Sequence, residues 1–126
     1  MTGNEKVREK MRPHKKLEVW KKSIDFVTKI YKMTESFPDS EKFGLISQIR
    51  RSAVSVPSNI SEGAARSTKK EFIQFLSIAQ GSTSELETQL IISNNLGFLK
   101  EEDMHLLDEL DEISRMIIGL IRTLKK

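Results

Sequence analysis

The chain has 126 residues, of which 37% are hydrophobic and 31% charged, with a formal net charge of +3 and no cysteine. The length fits one domain, and the hydrophobic content excludes a disordered chain that is too polar to form a core. Without cysteine there are no disulfides and no thiolate metal sites. The net charge is too small to indicate nucleic-acid binding unless the basic residues cluster.

The sequence also indicates where in the cell the protein is found. The first residues lack the apolar segment of a signal peptide, and no apolar run approaches the roughly 18 residues of a membrane helix. A small secreted domain would usually need disulfides. We therefore expect a cytoplasmic protein with no membrane partner.

The chain begins with a basic arm over residues 1–16. Its basic residues, set against only two glutamates, are Lys6, Arg8, Lys10, Arg12, Lys15 and Lys16. Pro13 interrupts any helix here. We predict a mobile arm over residues 1–16 and a folded domain over residues 17–126.

The first predicted helix runs from Leu17 towards Pro38, since the residue before a proline avoids the α region. It carries two neighbouring apolar rows with helical spacing. The first row is Trp20, Ile24, Val27 and Tyr31, and the second is Phe26, Ile30, Met33 and Phe37. We assign Trp20 and Tyr31 to the core, and with few aromatic residues among the basic ones, base stacking is not supported.

The second predicted helix runs from about residue 41 to residue 66, with Ser40 as its N-cap. Its apolar row is Leu45, Ile49, Ala53, Val56, Ile60 and Ala64. Pro57 lies inside the helix and removes one backbone donor. Because the row keeps its phase across Pro57, one kinked helix is favoured over two separate helices.

A row of mostly small polar residues lies beside that apolar row. Its members, at alternating spacings of four and three, are Gln48, Ser52, Ser55, Asn59, Glu62 and Arg66. Buried amide or carboxylate groups would need specific partners. The row is either a polar contact with another helix, including one that faces the interior of an oligomer, or a solvated flank.

The third predicted helix begins at a capping box, with Thr68 as the cap and Glu71 three residues later. Asn95 and Gly97 indicate its C-terminal end. Its first half carries large apolar side chains around roughly 220° of the helix, more than the stripe of somewhat over 100° that a monomeric bundle helix needs. Those side chains include Phe72, Ile73, Phe75 and Ile78.

The fourth predicted helix starts near Lys100 and ends at Lys126. Its acidic first turn and basic last turn suit the helix dipole, or the acids are simply a solvated face. Its core row is Leu106, Leu110, Ile113, Ile117, Leu120 and Leu124, and Met116 and Ile118 add further apolar surface. Four helices with short connections predict an all-α, antiparallel up-down-up-down four-helix bundle.

The surplus apolar surface has two interpretations. It is either a bulky core with scattered exposed side chains, which is common, or a surface for association. We favour association and expect a homo-oligomer.

Catalytic residues are hard to find in this chain. It has no cysteine and two histidines, His14 and His105, and no serine in a nucleophile-elbow setting. Glu102 and His105 match half of a di-iron bundle motif, but the second half is absent. Arg8 and His14 have a spacing used by helical ribonucleases, but they lie in the basic arm around Pro13. We predict no catalytic residues, no metal and no cofactor.

The sequence resembles the 23S ribosomal RNA intervening-sequence protein family of bacteria over residues 14–126. The resemblance depends most on residues 47–63, SQIRRSAVSVPSNISEG. It continues in register in residues 14–20 (HKKLEVW), 70–76 (KEFIQFL) and 84–90 (SELETQL). It implies the bundle fold and a ring-like homopentamer. The family includes retroelement accessory proteins that bind nucleic acid and a reverse transcriptase, and it has no agreed catalytic residue.

With this resemblance, the basic residues become candidates for binding RNA or DNA. They are Arg50, Arg51, Arg66, Lys69, Lys70, Lys15, Lys16, Lys21 and Lys22. Repeated around an oligomer, two or three such charges per subunit would make a strong phosphate site, although they also fit an ordinary charged surface. The sequence thus predicts a non-enzymatic oligomer that binds nucleic acid or a nucleoprotein, and the alternative is a protein-interaction scaffold with no nucleic-acid role.

Overall fold

The computed structural model describes residues 13–126 and shows a bundle of four α-helices. They are α1 (Glu18–Thr34), α2 (Leu45–Ala64), α3 (Lys69–Asn95) and α4 (His105–Lys125). Short 3-10 helices occupy Pro13–Lys16, Asp39–Glu41 and Glu101–Asp103. No strand occurs in the described residues, and the predicted all-α four-helix fold is confirmed. The first twelve residues of the predicted basic arm lie outside the described part, and its last four form the first 3-10 helix.

The core lies between the four helices and receives one apolar row from each. From α1 and the turn after it come Val19, Phe26, Ile30, Met33 and Phe37; from α2, Ile49, Ala53, Val56 and Ile60; from α3, Leu76, Ala79, Leu86 and Leu90; from α4, Leu106, Leu110, Ile113 and Ile117. The rows predicted for α2 and α4 supply these buried residues. Burying such side chains is the main stabilising term, at about 1.5–3 kcal/mol for each large one.

Contacts between neighbouring helices fix which helix ends lie together. Ser52 contacts Glu85 and Ser55 contacts Ser82, so residue numbers rise along α2 while they fall along α3. The C-terminal end of α1 contacts the start of α2 through Arg50 and Thr34. The same end of α1 lines a cavity together with residues 100–106, at the start of α4.

The core face of α1 differs from the sequence prediction. The second row, which contains Phe26 and Ile30, is buried, whereas Ile24 and Tyr31 of the first row are about 40% exposed. Trp20 is half-buried. The assignment of Tyr31 to the core is therefore wrong. Both rows have helical spacing, and only packing against α2 and α4 selects between them.

The start of α2 also differs from the prediction. The helix begins at Leu45, and residues 39–41 form a separate 3-10 turn after Pro38. Gly44 and not Ser40 is the N-cap residue, and the Glu41 carboxylate accepts the Leu45 N–H at 3.2 Å. Beyond this start, α2 continues through Pro57 to Ala64 as one helix. The predicted bend at Pro57 stays a prediction.

Both predicted ends of α3 are confirmed. Thr68 Oγ1 accepts the Glu71 N–H at 3.1 Å, as the capping box requires. At the other end Gly97 has φ +80°. The N–H groups of Phe98 and Gly97 bond the carbonyls of Ser93 and Asn94, both at 2.9 Å. This is a complete Schellman motif, which satisfies two carbonyls that the helix leaves unpaired.

Within residues 13–126, no helix combines the length and apolar character needed to cross a membrane.

Candidate nucleic-acid interface

The turn from α2 to α3 carries three of the predicted basic residues. Lys69 and Lys70 are exposed and are the first two residues of α3. Within the described chain, neither ammonium has a hydrogen-bond or ion-pair partner. A positive charge at a helix N-terminus opposes the helix dipole. The structure therefore holds two unpaired cations where α3 itself would favour anions.

Arg66 lies beside these lysines but is partly engaged within the chain. Its guanidinium donates to Glu62 Oε1 at 2.7 Å and stacks over the Phe75 ring at 4.9 Å from the ring centre. About two-fifths of the side chain remains exposed. A guanidinium has five N–H donors, and only one of its nitrogens is engaged by Glu62, so Arg66 fits the same surface as Lys69 and Lys70.

The C-terminal end of α4 lies at the same end of the bundle. Gln80 on α3 donates to Ser114 on α4 at 2.7 Å, which fixes the relative height of the two helices. Lys69 precedes Gln80 on α3 by the same number of residues as Lys125 follows Ser114 on α4. At about 1.5 Å per residue, each lysine lies about 16 Å along its helix from this contact. Arg122, Lys125 and Lys126 are exposed there. We define the basic end as Arg66, Lys69, Lys70, Arg122, Lys125 and Lys126.

The basic candidates near the start of α1 are less available. Lys21 pairs with Glu18 at 3.2 Å on its own helix. Lys22 reaches across to Glu112 of α4 at 3.0 Å. The side chains of Lys15 and Lys16 lie outside the described part of the chain. Lys22 thus connects two helices.

The guanidinium of Arg50 is engaged in hydrogen bonds within the chain. Its Nε donates to Thr34 Oγ1 at 2.9 Å, one Nη donates to the Tyr31 carbonyl at 3.2 Å, and the guanidinium lies 4.5 Å from the Tyr31 ring centre. The Tyr31 carbonyl belongs to the last turn of α1, where carbonyls lack helical partners. Arg50 therefore caps α1, and a cation there also suits the helix dipole.

The polar row of α2 lies mostly against α3 of the same chain. Ser52 donates to Glu85 Oε1 at 2.8 Å, and the hydroxyls of Ser55 and Ser82 are 2.8 Å apart. Asn59 donates to the Ser55 carbonyl and hydroxyl. Gln48 is exposed. The row is thus an intrachain polar contact over its middle part.

Arg51 stands on the outer surface of α2. Its side chain is 73% exposed, and its only ionic neighbour in the described part is Glu85, at 3.6 Å. An exposed pair at this distance contributes about 0–1 kcal/mol. Arg51 is therefore available to a partner.

The large apolar side chains predicted to be in surplus on α3 are partly packed against the chain and partly exposed. Phe72 and Phe75 pack beside Gly63, where a Cβ would meet Phe75 Cβ at 2.7 Å, and they are half-buried together with Ile73. Ile78 is 52% exposed. The aromatic residues thus close the contact with α2, and Ile78 remains on the outside.

A charged contact that the sequence did not predict joins α1 and α4. Lys29 Nζ lies 2.6 Å from Glu109 Oε1 and 3.2 Å from Asp25 Oδ2. Hydrogen bonds to Glu109, and then to Asp25, raise the pKa of Lys29 above its ordinary value of 10.5. Side chains 80 positions apart carry no periodic signal that would have revealed this pair.

His105 lies next to this contact. Its Nδ1 is 2.8 Å from the Glu102 carbonyl oxygen, and its Nε2 is 3.8 Å from Glu109 Oε2. Across residues 13–126, no group of three His, Cys, Asp or Glu side chains is arranged to hold a metal ion. The partial di-iron motif thus uses the backbone of Glu102 and not its carboxylate.

Comparisons with known proteins agree with the fold. The family model described as "23S rRNA-intervening sequence protein" matches residues 15–119. A comparison with curated proteins gives no match. A solved structure, of a protein of unknown function from the S23 ribosomal protein family of Bacteroides thetaiotaomicron, superposes with a TM-score of 0.76 at 26% sequence identity. The match covers 82% of this chain and 95% of that one.

Proposed function

The chain belongs to the 23S rRNA-intervening sequence protein family, and from that premise we propose that it is a non-enzymatic, homo-oligomeric, cytoplasmic protein that binds nucleic acid or a nucleoprotein. The observation that carries the proposal is the pair of exposed lysines, Lys69 and Lys70, that begin α3 without anionic partners. They oppose the helix dipole, so they cost stability unless a polyanion binds. The other residues of the basic end lie at the same end of the bundle.

Oligomerisation increases the number of phosphate contacts that one assembly makes, and so its affinity for nucleic acid. Each exposed lysine or arginine that contacts a phosphate releases condensed counterions, and the effects of several contacts add in the logarithm of the affinity. One basic end is a small cluster, but several copies placed around an axis make a broad one. The ligand class is single-stranded or structured RNA or DNA, alone or bound to a protein such as a reverse transcriptase. Five subunits is the number to test.

The test reverses the two unpaired charges. Lys69→Glu/Lys70→Glu places acids in the first turn of α3, which the dipole favours, so the variant is expected to fold at least as stably as the parent. We expect its affinity for a fluorescent ribosomal RNA fragment to fall at least about tenfold, with a shallower salt dependence. Fluorescence anisotropy at several salt concentrations measures both.

The matched control makes the same change in net charge at the opposite end of the bundle. Lys32 and Lys100 are exposed and line one cavity there. Lys32→Glu/Lys100→Glu is expected to keep most of the affinity. If both variants lose affinity equally, general charge and not the basic end explains the binding, and an unchanged affinity in the Lys69/Lys70 variant contradicts the proposed site.

The second candidate function is a protein-interaction scaffold. The specific observation in its favour is the set of large apolar side chains left half or more exposed, including Phe43, Ile78 and Leu96. Apolar association does not weaken steeply with salt, whereas phosphate binding does. Light scattering after size-exclusion chromatography, at low and high salt and with and without RNA, therefore separates the two functions.

A further inference from the structure

Phe43 is the most exposed of the large apolar side chains that the structure describes, at 90%. It lies in the turn between the 3-10 helix Asp39–Glu41 and α2. An apolar residue just before an N-cap often packs against the fourth residue of the helix. Here the N-cap is Gly44 and that fourth residue is Gln48, which is polar and exposed. The Phe43 ring therefore does not hold the start of α2.

The Phe43 ring borders an open cavity of about 510 Å³ over the end of α1 and the start of α2. Tyr31, which is about 40% exposed, and Ile46, which is half-buried, also line the cavity. Its lining residues include Lys42 and two arginines but no carboxylate. We call Tyr31, Lys42, Phe43 and Ile46 the Phe43 platform. It combines aromatic and apolar surface with positive charge.

The positive charge of the platform belongs to Lys42. The Lys42 ammonium lies over the Phe43 ring, 5.7 Å from its centre, and has no hydrogen-bond or ion-pair partner within residues 13–126. The carboxylate of the preceding residue, Glu41, accepts the Leu45 N–H at 3.2 Å. Lys42 can therefore bind an anion, while the opposite face of the exposed Phe43 ring is open to a planar group.

The two arginines beside the platform have partners within the chain and add no free charge. Arg50 donates to Thr34 and to the Tyr31 carbonyl, and it lies 4.5 Å from the centre of the Tyr31 ring. These contacts fix that ring as one wall of the cavity. Arg51 pairs with Glu85 at 3.6 Å. Recognition at the platform therefore does not depend on either guanidinium.

An exposed ring beside a free ammonium matches the chemistry of an unpaired nucleotide. A base stacks on the face of an aromatic side chain, and a nearby cation binds the phosphate. We propose that the Phe43 platform binds one unpaired nucleotide of single-stranded RNA or DNA, with the base on the Phe43 ring and a neighbouring phosphate at Lys42. Bases within a duplex are stacked on each other, so the platform selects single strands. This inference rests on the nucleic-acid part of the proposed function and adds a preference for unpaired bases.

The platform and the basic end lie at opposite ends of α2. That helix has 20 residues and is about 30 Å long, so the two sites contact different nucleotides. The acidic residues Glu102 and Asp103, at the same end of the bundle as the platform, line a separate cavity with Lys32 and Lys100. We expect the basic end to determine how binding depends on salt, and the platform to determine how it depends on the bases.

The first test compares a short single-stranded oligodeoxynucleotide with an abasic strand that has the same number of phosphates. The parent protein is expected to bind the base-containing strand at least about fivefold more tightly. Phe43→Ala is expected to remove that difference and to leave the affinity for the abasic strand unchanged. Leu96→Ala is the control and should keep the difference, because it truncates an apolar side chain that is 56% exposed at the same end of the bundle. Fluorescence anisotropy measures the affinities, and circular dichroism verifies that both variants are folded.

The outcomes separate this inference from the proposed function. If the parent protein binds both strands equally well, or if Phe43→Ala keeps the preference for bases, the stacking site is wrong while the proposed function stands. Equal losses of affinity for both strands in Phe43→Ala also contradict stacking and leave Phe43 for contacts with a protein. If the parent binds the ribosomal RNA fragment but neither strand, only this inference fails. If it binds no nucleic acid, the nucleic-acid part of the proposed function fails too.

The second test detects the base at the platform directly, because Trp20 is the only tryptophan of the chain. Trp20→Phe/Phe43→Trp places a single indole on the platform. A base that stacks on this indole is expected to quench its fluorescence, whereas the abasic strand should not. The control is the parent protein, in which Trp20 lines a different cavity and should respond to neither strand. Quenching that is equal for the two strands, or equal in the two proteins, would overturn the proposal.

Discussion

The α2–α3 contact and the α1–α4 contact hold neighbouring helices together in different ways. Between α2 and α3 the side chains are short: the Ser55 and Ser82 hydroxyls meet at 2.8 Å, and Gly63 leaves no room for a Cβ beside Phe75. Between α1 and α4 long ionic side chains cross the surface, as in the pair of Lys29 with Glu109 at 2.6 Å. The α2–α3 contact depends mainly on close packing, with one exposed ion pair of Arg51 with Glu85 at its edge, whereas the α1–α4 contact includes a closer ion pair. Substitutions, salt and pH should therefore affect the two contacts differently.

The largest expected effect comes from filling the space at Gly63. Gly63→Ala places a methyl group 2.7 Å from Phe75 Cβ and 3.0 Å from the Phe72 ring. Overpacking of this kind costs about 1–3 kcal/mol, even though alanine favours a helix. Urea unfolding followed by circular dichroism measures the free energy of unfolding.

Gly119→Ala in α4 is the control for this substitution, because its Cβ would meet nothing within 4 Å. It is expected to stabilise the protein by about 0.5–1 kcal/mol. If Gly63→Ala also stabilises the protein, the close approach of α2 and α3 is not what Gly63 provides.

The next largest decrease in the free energy of unfolding is expected when a hydroxyl is removed from the α2–α3 contact. Ser52→Ala removes the donor to Glu85 Oε1 and is expected to cost about 0.5–1.5 kcal/mol. The value should lie near the lower limit, because Glu85 is half exposed and water can replace the hydroxyl. Ser58→Ala, at an exposed position of the same helix, should change the free energy of unfolding much less. Equal losses in the two variants would argue against a specific Ser52–Glu85 bond.

The smallest expected change in stability comes from removing a charge from the α1–α4 contact, and its size depends on pH. The folded-state pKa of Lys29 lies above its unfolded value of 10.5. Its ionic stabilisation is therefore fully present below about pH 10 and decreases as the pH rises through the folded-state pKa. Lys29→Met should be less stable than the parent at pH 8, with a difference that shrinks at pH 11 and in high salt. Unfolding midpoints at both pH values measure this, and Lys32→Met on the same helix is the control.

Local signals in the sequence predicted the elements that local chemistry determines. The Thr68 capping box and the Gly97 stop of α3 involve neighbours within a few residues, and both are present in the structure. The apolar row of α2 was also recognisable, because it keeps one phase across Pro57. These features need no knowledge of the rest of the chain.

Features that depend on distant parts of the chain were not predictable. The choice between the two apolar rows of α1 depends on packing, so Tyr31 was misassigned to the core. The role of Arg50 as a cap for α1 depends on a contact with Thr34 sixteen residues away. The basic end was only partly predicted, since Arg66, Lys69 and Lys70 are adjacent in sequence while Lys125 joins them only through the fold.

The separation of charge along the bundle also affects how the molecule meets other molecules. The basic end lies at one end, and the acidic residues Glu101, Glu102 and Asp103 lie at the other, in the 3-10 helix that precedes α4. Such a molecule has a permanent dipole moment along its axis. An approaching polyanion therefore turns the basic end towards itself before contact, which raises the association rate at low ionic strength. At physiological salt this orientation acts only within about 8 Å, so it guides the last step of the encounter.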